Sequence, residues 1–163
     1  MPDMLVALYN LPDARPCTQA LAERGIAIRR AFPSNKRAVV DWVLERSGPG
    51  GASECEVAFS HTPVSCFLAT QGSEIVGYAC YNTTAPDFFG PTRVADSHQG
   101  QGIGKALLLH SLYALRACGY GYAIIGGIGP QAFYEKTVGA ILIPDSTPGI
   151  YKDTMRNWQP APK

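Results

Sequence analysis

The chain has 163 residues and a mass of 17.5 kDa, about one domain's worth. Its 46% hydrophobic and 17% charged residues exclude a disordered chain. Fourteen Lys+Arg against 13 Asp+Glu leave a net charge of +1, which excludes a broad field for gathering nucleic acid or an anionic membrane, so any grip on phosphate must be local.

In chain order, Met4–Tyr9 is a short apolar strand and Ala14–Arg24 a helix stopped by Gly25. Ile26–Ala31 alternates like a half-exposed strand. Asn35–Arg46 is a helix with Ser34 as N-cap and Ser47-Gly48-Pro49 as its stop. Gly48–Ser53 reads as a flexible turn and Val57–Ser60 as a short strand. Ser65–Thr70 and Glu74–Tyr81 form a hairpin about Gln71-Gly72-Ser73. Phe88–Ala95 is a strand interrupted by Gly90-Pro91; proline has no N–H for a ladder, so a bulge or split is expected. Ile103–Cys118 is a strong helix with a stripe of Ile103, Leu107, Ser111, Ala114 and Cys118 facing inward and Lys105 and Arg116 outward. His110 flanks that stripe and reads as structural. Tyr122–Ile125 is continuously apolar, as a strand covered on both faces should be. A strand, a helix and a second apolar strand make a βαβ crossover, so this part of the sheet is parallel. A short helix over Gln131–Val138 and weak strands near Ala140–Ile143 and Ile150–Met155 close the chain.

The five cysteines, Cys17, Cys55, Cys66, Cys80 and Cys118, are odd in number, at least eleven positions apart and without a CxxC pair. They predict reduced, mostly buried thiols rather than a disulfide framework or a zinc module. Met4–Tyr9 is too short and lacks the basic lead of a signal peptide, and no window approaches the ~20 apolar residues of a membrane span. A cytoplasmic protein is expected, with no metal and no nucleic-acid or membrane partner.

Glycine is the outlier, with 17 residues. Three of them alternate in Asp96-Ser97-His98-Gln99-Gly100-Gln101-Gly102-Ile103-Gly104-Lys105, where a strand hands over to a helix. Helix N-termini present unpaired N–H groups and partial positive charge, and glycine lets them approach an anion. A Walker P-loop fails, because Gly100 and Gly104-Lys105 are one residue too close and Ala106 replaces the magnesium-binding hydroxyl. The dinucleotide pattern G-x-G-x-x-G fails because Lys105 stands at its third glycine.

Gln99-x-x-Gly102-x-Gly104 resembles the loop that wraps the pyrophosphate of coenzyme A in the GNAT superfamily of acyl-CoA-dependent N-acetyltransferases. Ile28-Arg29-Arg30-Ala31, Pro33 and the helix carrying Trp42 look like that family's first strand and helix. Phe133-Tyr134-Glu135-Lys136 looks like the F/L-Y-E-K signature of its last helix. The resemblance runs from about Ile26 to Met155. It divides the chain into an N-terminal extension, 1–25, packed on the domain, an N-acetyltransferase domain, 26–157, and a tail, 158–163. It implies a GNAT-like α/β fold: a mixed, mostly antiparallel sheet with a central parallel βαβ unit and helices on both faces.

The resemblance also implies acetyl-CoA as co-substrate and direct transfer of the acetyl group to a primary amine of a small molecule. Cofactor contacts are implied at Val94, Ala95, Asp96, Gln99, Gly100, Gln101, Gly102, Ile103, Gly104 and Lys105. The N–H of Val94 or a neighbour would polarise the thioester carbonyl, a contribution of ~3 kcal/mol to the barrier. Tyr134 would protonate the departing CoA thiolate. Asp87 is the first candidate for general base, with Glu74 and His61 behind it, and His98 lies beside the phosphates. The chain departs from the family pattern at Gly127, where an Asn is common, and in Thr137-Val138-Gly139-Ala140, one residue longer than usual. Acceptor contacts are expected from Gly48–Glu56 and Thr83–Asp87, and a homodimer is compatible with the pattern. Two other readings remain: a non-catalytic acyl-CoA sensor or interaction module with the same fold, and a cysteine hydrolase using Cys66 or Cys80 with His61.

Overall fold

A computed structural model describes residues 1–155. The expected 158–163 tail lies outside the described residues. The strands are β1 (Met4–Ala7), β2 (Ile26–Arg30), β3 (Cys66–Gln71), β4 (Glu74–Tyr81), β5 (Phe88–Val94), β6 (Tyr122–Ile125) and β7 (Ile141–Leu142). The helices are α1 (Arg15–Ala22), α2 (Lys36–Ala58), α3 (Ile103–Ala117) and α4 (Gln131–Val138). One sheet runs β2-β3-β4-β5-β6-β1-β7. Every neighbouring pair is antiparallel except β5 and β6, which α3 joins as a crossover. The mixed α/β sheet read from the sequence is the sheet observed.

Alternation along β3 and β4 sends side chains to opposite faces. Phe67, Ala69, Ala79 and Tyr81 join the core beneath α1, α3 and α4. Cys66, Leu68, Tyr78 and Cys80 pack under α2 with Val39, Val40 and Val43. Gly77 lets α3 lie close on the sheet: a Cβ there would come within 3.1 Å of Leu107 Cδ1 and 3.3 Å of Ile103 Cγ2. The buried surface of α3 is wider than the expected stripe. Leu108, Leu109, Leu112 and Leu115 are all fully buried, while Cys118 is exposed. The reason is that α1 and the turn at Leu8–Asn10 cover a second side of this helix.

Residues 1–25 contribute a strand to the sheet itself. β1 pairs with β6 on one side and β7 on the other, and Met4, Val6 and Leu8 have no exposed surface. A strand fenced on both sides, with its alternate side chains in the core, is part of the domain's main layer.

Three local expectations are corrected. The expected turn Gly48–Ser53 is helical from Pro49 on, and Val57–Ser60 is not a strand; α2 continues to Ala58. The stop at Ser47-Gly48-Pro49 is present as a break, with Gly48 at φ 76, ψ −178. Pro49 then restarts the helix, at a position where proline's missing N–H costs nothing. Ala52, Cys55 and Ala58 bury the second segment's inner face, a spacing of three that a short apolar run conceals. Ile150–Met155 is likewise no strand but a 3₁₀ turn over Gly149–Asp153.

Candidate functional site

β5 and β6 pair only through Phe88–Ile124 and Phe89–Ile125. Beyond Phe89 they part. Gly90, at φ 115, and Pro91 together oppose the single residue Cys80 of β4, the bulge foreshadowed by the glycine and proline. The parting opens a cleft of about 900 Å³. It reaches from the N-terminus of α3 on one face of the sheet to Glu54 of α2 on the other.

At the α3 end, Gly100 and Gly102 adopt φ 76 and φ 88, left-handed values that favour glycine. Gly102 is the N-cap of α3. Among the described residues, nothing accepts a hydrogen bond from the N–H groups of Gly100 through Lys105. Lys105 is exposed and forms no ion pair there. Six consecutive unpaired amides at a helix N-terminus, with a cation beside them, suit a diphosphate. Val94, Gln99, Gly100, Gly102, Ile103, Gly104 and Lys105 line the cleft; Ala95, Asp96 and Gln101 do not. Asp96 and Gln99 shape the loop instead. The Gln99 amide donates to the Val94 carbonyl at 3.3 Å and to Asp96 Oδ1 at 3.1 Å, and Arg93 also binds Asp96 Oδ1. The Gln101 carbonyl accepts from Arg24 at 2.6 Å. His98 lines the cleft, held by Ser97 and Gln71.

The ladder decides which amide of β5 faces the gap. The N–H of Ala95 donates to Val76 on β4 at 2.9 Å. Val94 opposes Gly77 one residue earlier, so alternation turns its N–H away from β4 and toward the cleft. Val94 therefore presents its N–H toward the cleft, and Ala95 does not.

Tyr134 lies across the cleft, 7% exposed, with its ring edge-on to Phe89 and Phe133 at centroid distances of 6.5 and 5.1 Å. Burial raises its pKa above the ordinary 10. Its hydroxyl has no hydrogen-bond partner among the described residues, although the side chain lines the cleft. The phenol is thus fixed, protonated and unpartnered at the cleft wall.

Asp87 does not line this cleft. It caps the turn before β5 at φ 72, with its N–H bound to Asn82 Oδ1 and its carbonyl accepting from Ile124. Burial raises its pKa, and Oδ1 is buried without a partner. Glu74 and His61 are also off the cleft, and His61 is bonded to Ser65. The one carboxylate among the lining residues is Glu54, which lies in the expected acceptor segment Gly48–Glu56 but was not among the candidate bases. The signal was available in the three-residue spacing of Ala52, Cys55 and Ala58, which marks a helix and puts Glu54 on its flank.

Glu54 and Thr84 bring both expected acceptor segments to the cleft, and Met1 and Tyr151 also line it. The turn after β6, which carries the glycines with no sequence explanation, is organised by the N-terminus. Asp3 Oδ1 accepts from the Gly127 N–H at 2.7 Å, and the Ile128 N–H donates to the Pro2 carbonyl at 3.0 Å. Gly127 sits at φ 54. A Cβ on Gly126 would collide with the Tyr151 hydroxyl and lie 3.0 Å from the Phe88 ring.

The hydrolase reading finds no support in the geometry. Cys66 and Cys80 have no exposed surface, and neither cysteine lines the cleft. His110 is structural as expected, with Nε2 3.0 Å from Thr18 Oγ1 and its ring against Phe67. No helix among the described residues is long and apolar enough to cross a membrane.

Residues 62–137 match the model of the acetyltransferase (GNAT) domain. The fold is similar to a GCN5-related glucosamine N-acetyltransferase region of a fungal multi-domain GH3 β-N-acetylglucosaminidase (TM-score 0.70, 13% identity, 87% of this chain and 19% of that one). It is also similar to GCN5-related N-acetyltransferases from Sphaerobacter thermophilus (TM-score 0.62, 21% identity, 87% and 48%) and Kribbella flavida (TM-score 0.60, 17% identity, 86% and 53%). The chain thus spans about half the length of two of these proteins and about a fifth of the third. At such identities the likeness concerns the fold. No curated protein matches the sequence.

Proposed function

We propose, on the match of residues 62–137 to the acetyltransferase (GNAT) domain, that the chain is an acetyltransferase of that family and transfers an acetyl group from acetyl-CoA directly to a primary amine of a small molecule. One observation carries the reading: a single cleft crosses the sheet with a row of unpaired amides at one end, a carboxylate at the other and an unpartnered phenol in its wall.

The amides from Gly100 to Lys105 hold the diphosphate of the co-substrate, and Lys105 adds charge. The parted strands admit the pantetheine arm along β5. There the Val94 N–H meets the thioester oxygen and stabilises the negative charge that develops on it. The acceptor enters from the α2 side, so the two substrates meet across the sheet and no covalent enzyme intermediate is needed. Glu54 orients the amine and takes its proton, directly or through a water. Tyr134 returns a proton to the sulfur as the C–S bond breaks. Met1, Thr84 and Tyr151 bound the space left for the acceptor, about the right scale for an amino sugar or amino acid.

The test is release of free thiol from acetyl-CoA by the full chain across a panel of small primary amines. Release with one or more amines is expected. Binding of CoA by calorimetry with no release from any amine would instead identify a non-catalytic acyl-CoA-binding module.

A further inference from the structure

We propose that Cys55, Cys66 and Cys80 form a buried site for the thiophilic ion Cu(I), bound through three sulfur atoms. The site is separate from the cleft. Cys66 and Cys80 face each other across β3 and β4, and Cys55 descends on them from the second segment of α2. All three are fully buried, and their Sγ atoms lie within 4.8 Å of one another. Metal–sulfur bonds of about 2.3 Å in a trigonal plane place the sulfurs about 4 Å apart, so a small contraction closes the site.

The surroundings select the ion. The enclosing cluster includes Ala31, Val39, Val43, Ala58, Val64 and Leu68, and among the described residues no histidine or carboxylate joins the three sulfurs as a ligand group. Tyr78, the hydroxyl-bearing member, is engaged with Ser47. Zinc takes a fourth ligand in structural sites, which this cluster does not supply. Soft sulfur ligands favour Cu(I), which accepts three.

The site balances in charge. The Cys66 thiol donates to the Phe67 carbonyl, and the three sulfurs are enclosed in apolar surroundings. Binding of Cu(I) to the three thiols displaces one proton to solvent. One thiolate, two thiols and the ion are then neutral together, as a buried site requires.

Entry requires the second segment of α2 to lift, and Gly48 supplies the break at which it can. Cys55 adjoins Glu54, so a bound ion would also fix the helix that carries the cleft's carboxylate.

The experiment uses the full chain, reduced with a phosphine and kept anaerobic. It is titrated with Cu(I) against bicinchoninate, with Zn(II) in parallel. One Cu(I) per chain is expected, with Cys55, Cys66 and Cys80 protected from alkylation in peptide mass spectra and a sulfur-only shell in X-ray absorption. Alanine at any of the three should weaken binding by more than about a hundredfold, since even loss of groups that only orient ligands costs 10–100-fold. The double variant Cys17→Ser, Cys118→Ser retains the cluster alone and should bind as the natural chain does, which keeps the test decisive if an alanine variant fails to fold. The proposal is overturned by loss of binding in that double variant, by equal alkylation with and without Cu(I), by tighter binding of Zn(II) than Cu(I), or by recovery of Cys66 and Cys80 as a disulfide from anaerobically isolated protein. Every readout is metal binding, so the outcome is independent of acetyl transfer.

Discussion

The two ends of the cleft are made in different ways. The α3 end is one continuous stretch, Val94–Lys105, whose ligating groups are backbone amides. The part beyond β5 is lined by residues far apart in sequence, Met1, Glu54 of α2, Thr84 and Tyr151, brought to one cleft by the whole fold. A backbone cradle depends on glycine spacing and is insensitive to most side chains around it. An assembly of side chains can change its occupant by single substitutions while the fold stays the same. The difference predicts that damage to the first end weakens co-substrate binding, whereas damage to the second alters turnover and acceptor choice.

The largest effect should come from the residue between the ends. Tyr134→Phe removes the proposed proton donor while keeping the ring against Phe89 and Phe133. Turnover should fall by a factor of about 10²–10⁴, the range for a lost general acid, with the acetyl-CoA KM nearly unchanged. Because burial raises the Tyr134 pKa above 10, the phenol stays protonated through neutral and mildly alkaline pH. The pH profile of kcat should therefore show no alkaline decline from this group below pH 10. A KM change without a kcat change would move Tyr134 from the chemistry to the binding surface.

Glu54→Gln tests the acceptor end. It preserves shape and removes the charge, so turnover should drop by about 10²-fold, toward the lower limit for a lost base. CoA affinity measured by calorimetry should not change. Gly102→Ala tests the other end. A left-handed conformation costs an L-residue ~1–2 kcal/mol. CoA binding should weaken roughly tenfold, at 1.4 kcal/mol per decade, with the relative rates for different amines preserved. If Gly102→Ala changes the order of preferred amines, the two ends are not independent.

What was legible in the sequence follows the same division. The α3 loop, the βαβ crossover and the bulge at Gly90-Pro91 were readable because each is local. Glycine spacing, apolar runs and a missing N–H act within a few residues. Glu54 was not readable in this way: Gly48-Pro49-Gly50-Gly51 has the composition of a turn, and packing of Ala52, Cys55 and Ala58 on the sheet overrides that local preference for a helix. The interior position of β1 was hidden for a related reason. A four-residue apolar strand says nothing about its partners, and its place between β6 and β7 is set by long-range pairing. The cysteine cluster also escaped, because ligand spacing in sequence is informative only when the ligands share one short loop. Here helix, strand and neighbouring strand each contribute one sulfur.

The smallest expected effect is the most discriminating. Asp87 was the first candidate for general base, yet it stands outside the cleft with one carboxylate oxygen buried and unpartnered. Asp87→Asn keeps the size and tolerates the observed φ of 72, since asparagine adopts left-handed backbone readily. Turnover should be unchanged. The stability effect has a definite sign. A carboxyl whose folded pKa is raised contributes stability that is fully present below its unfolded value, ~3.9, and is lost as pH rises through the folded value. At neutral pH the charged form is therefore a cost to the fold, and Asn removes it. Thermal melts should show Asp87→Asn at or slightly above the natural chain at pH 7, with the difference vanishing as the medium is acidified through the titration of Asp87. Loss of turnover in Asp87→Asn with full activity in Glu54→Gln would reverse the assignment, placing the base at the head of β5 and leaving Glu54 as a wall of the acceptor space.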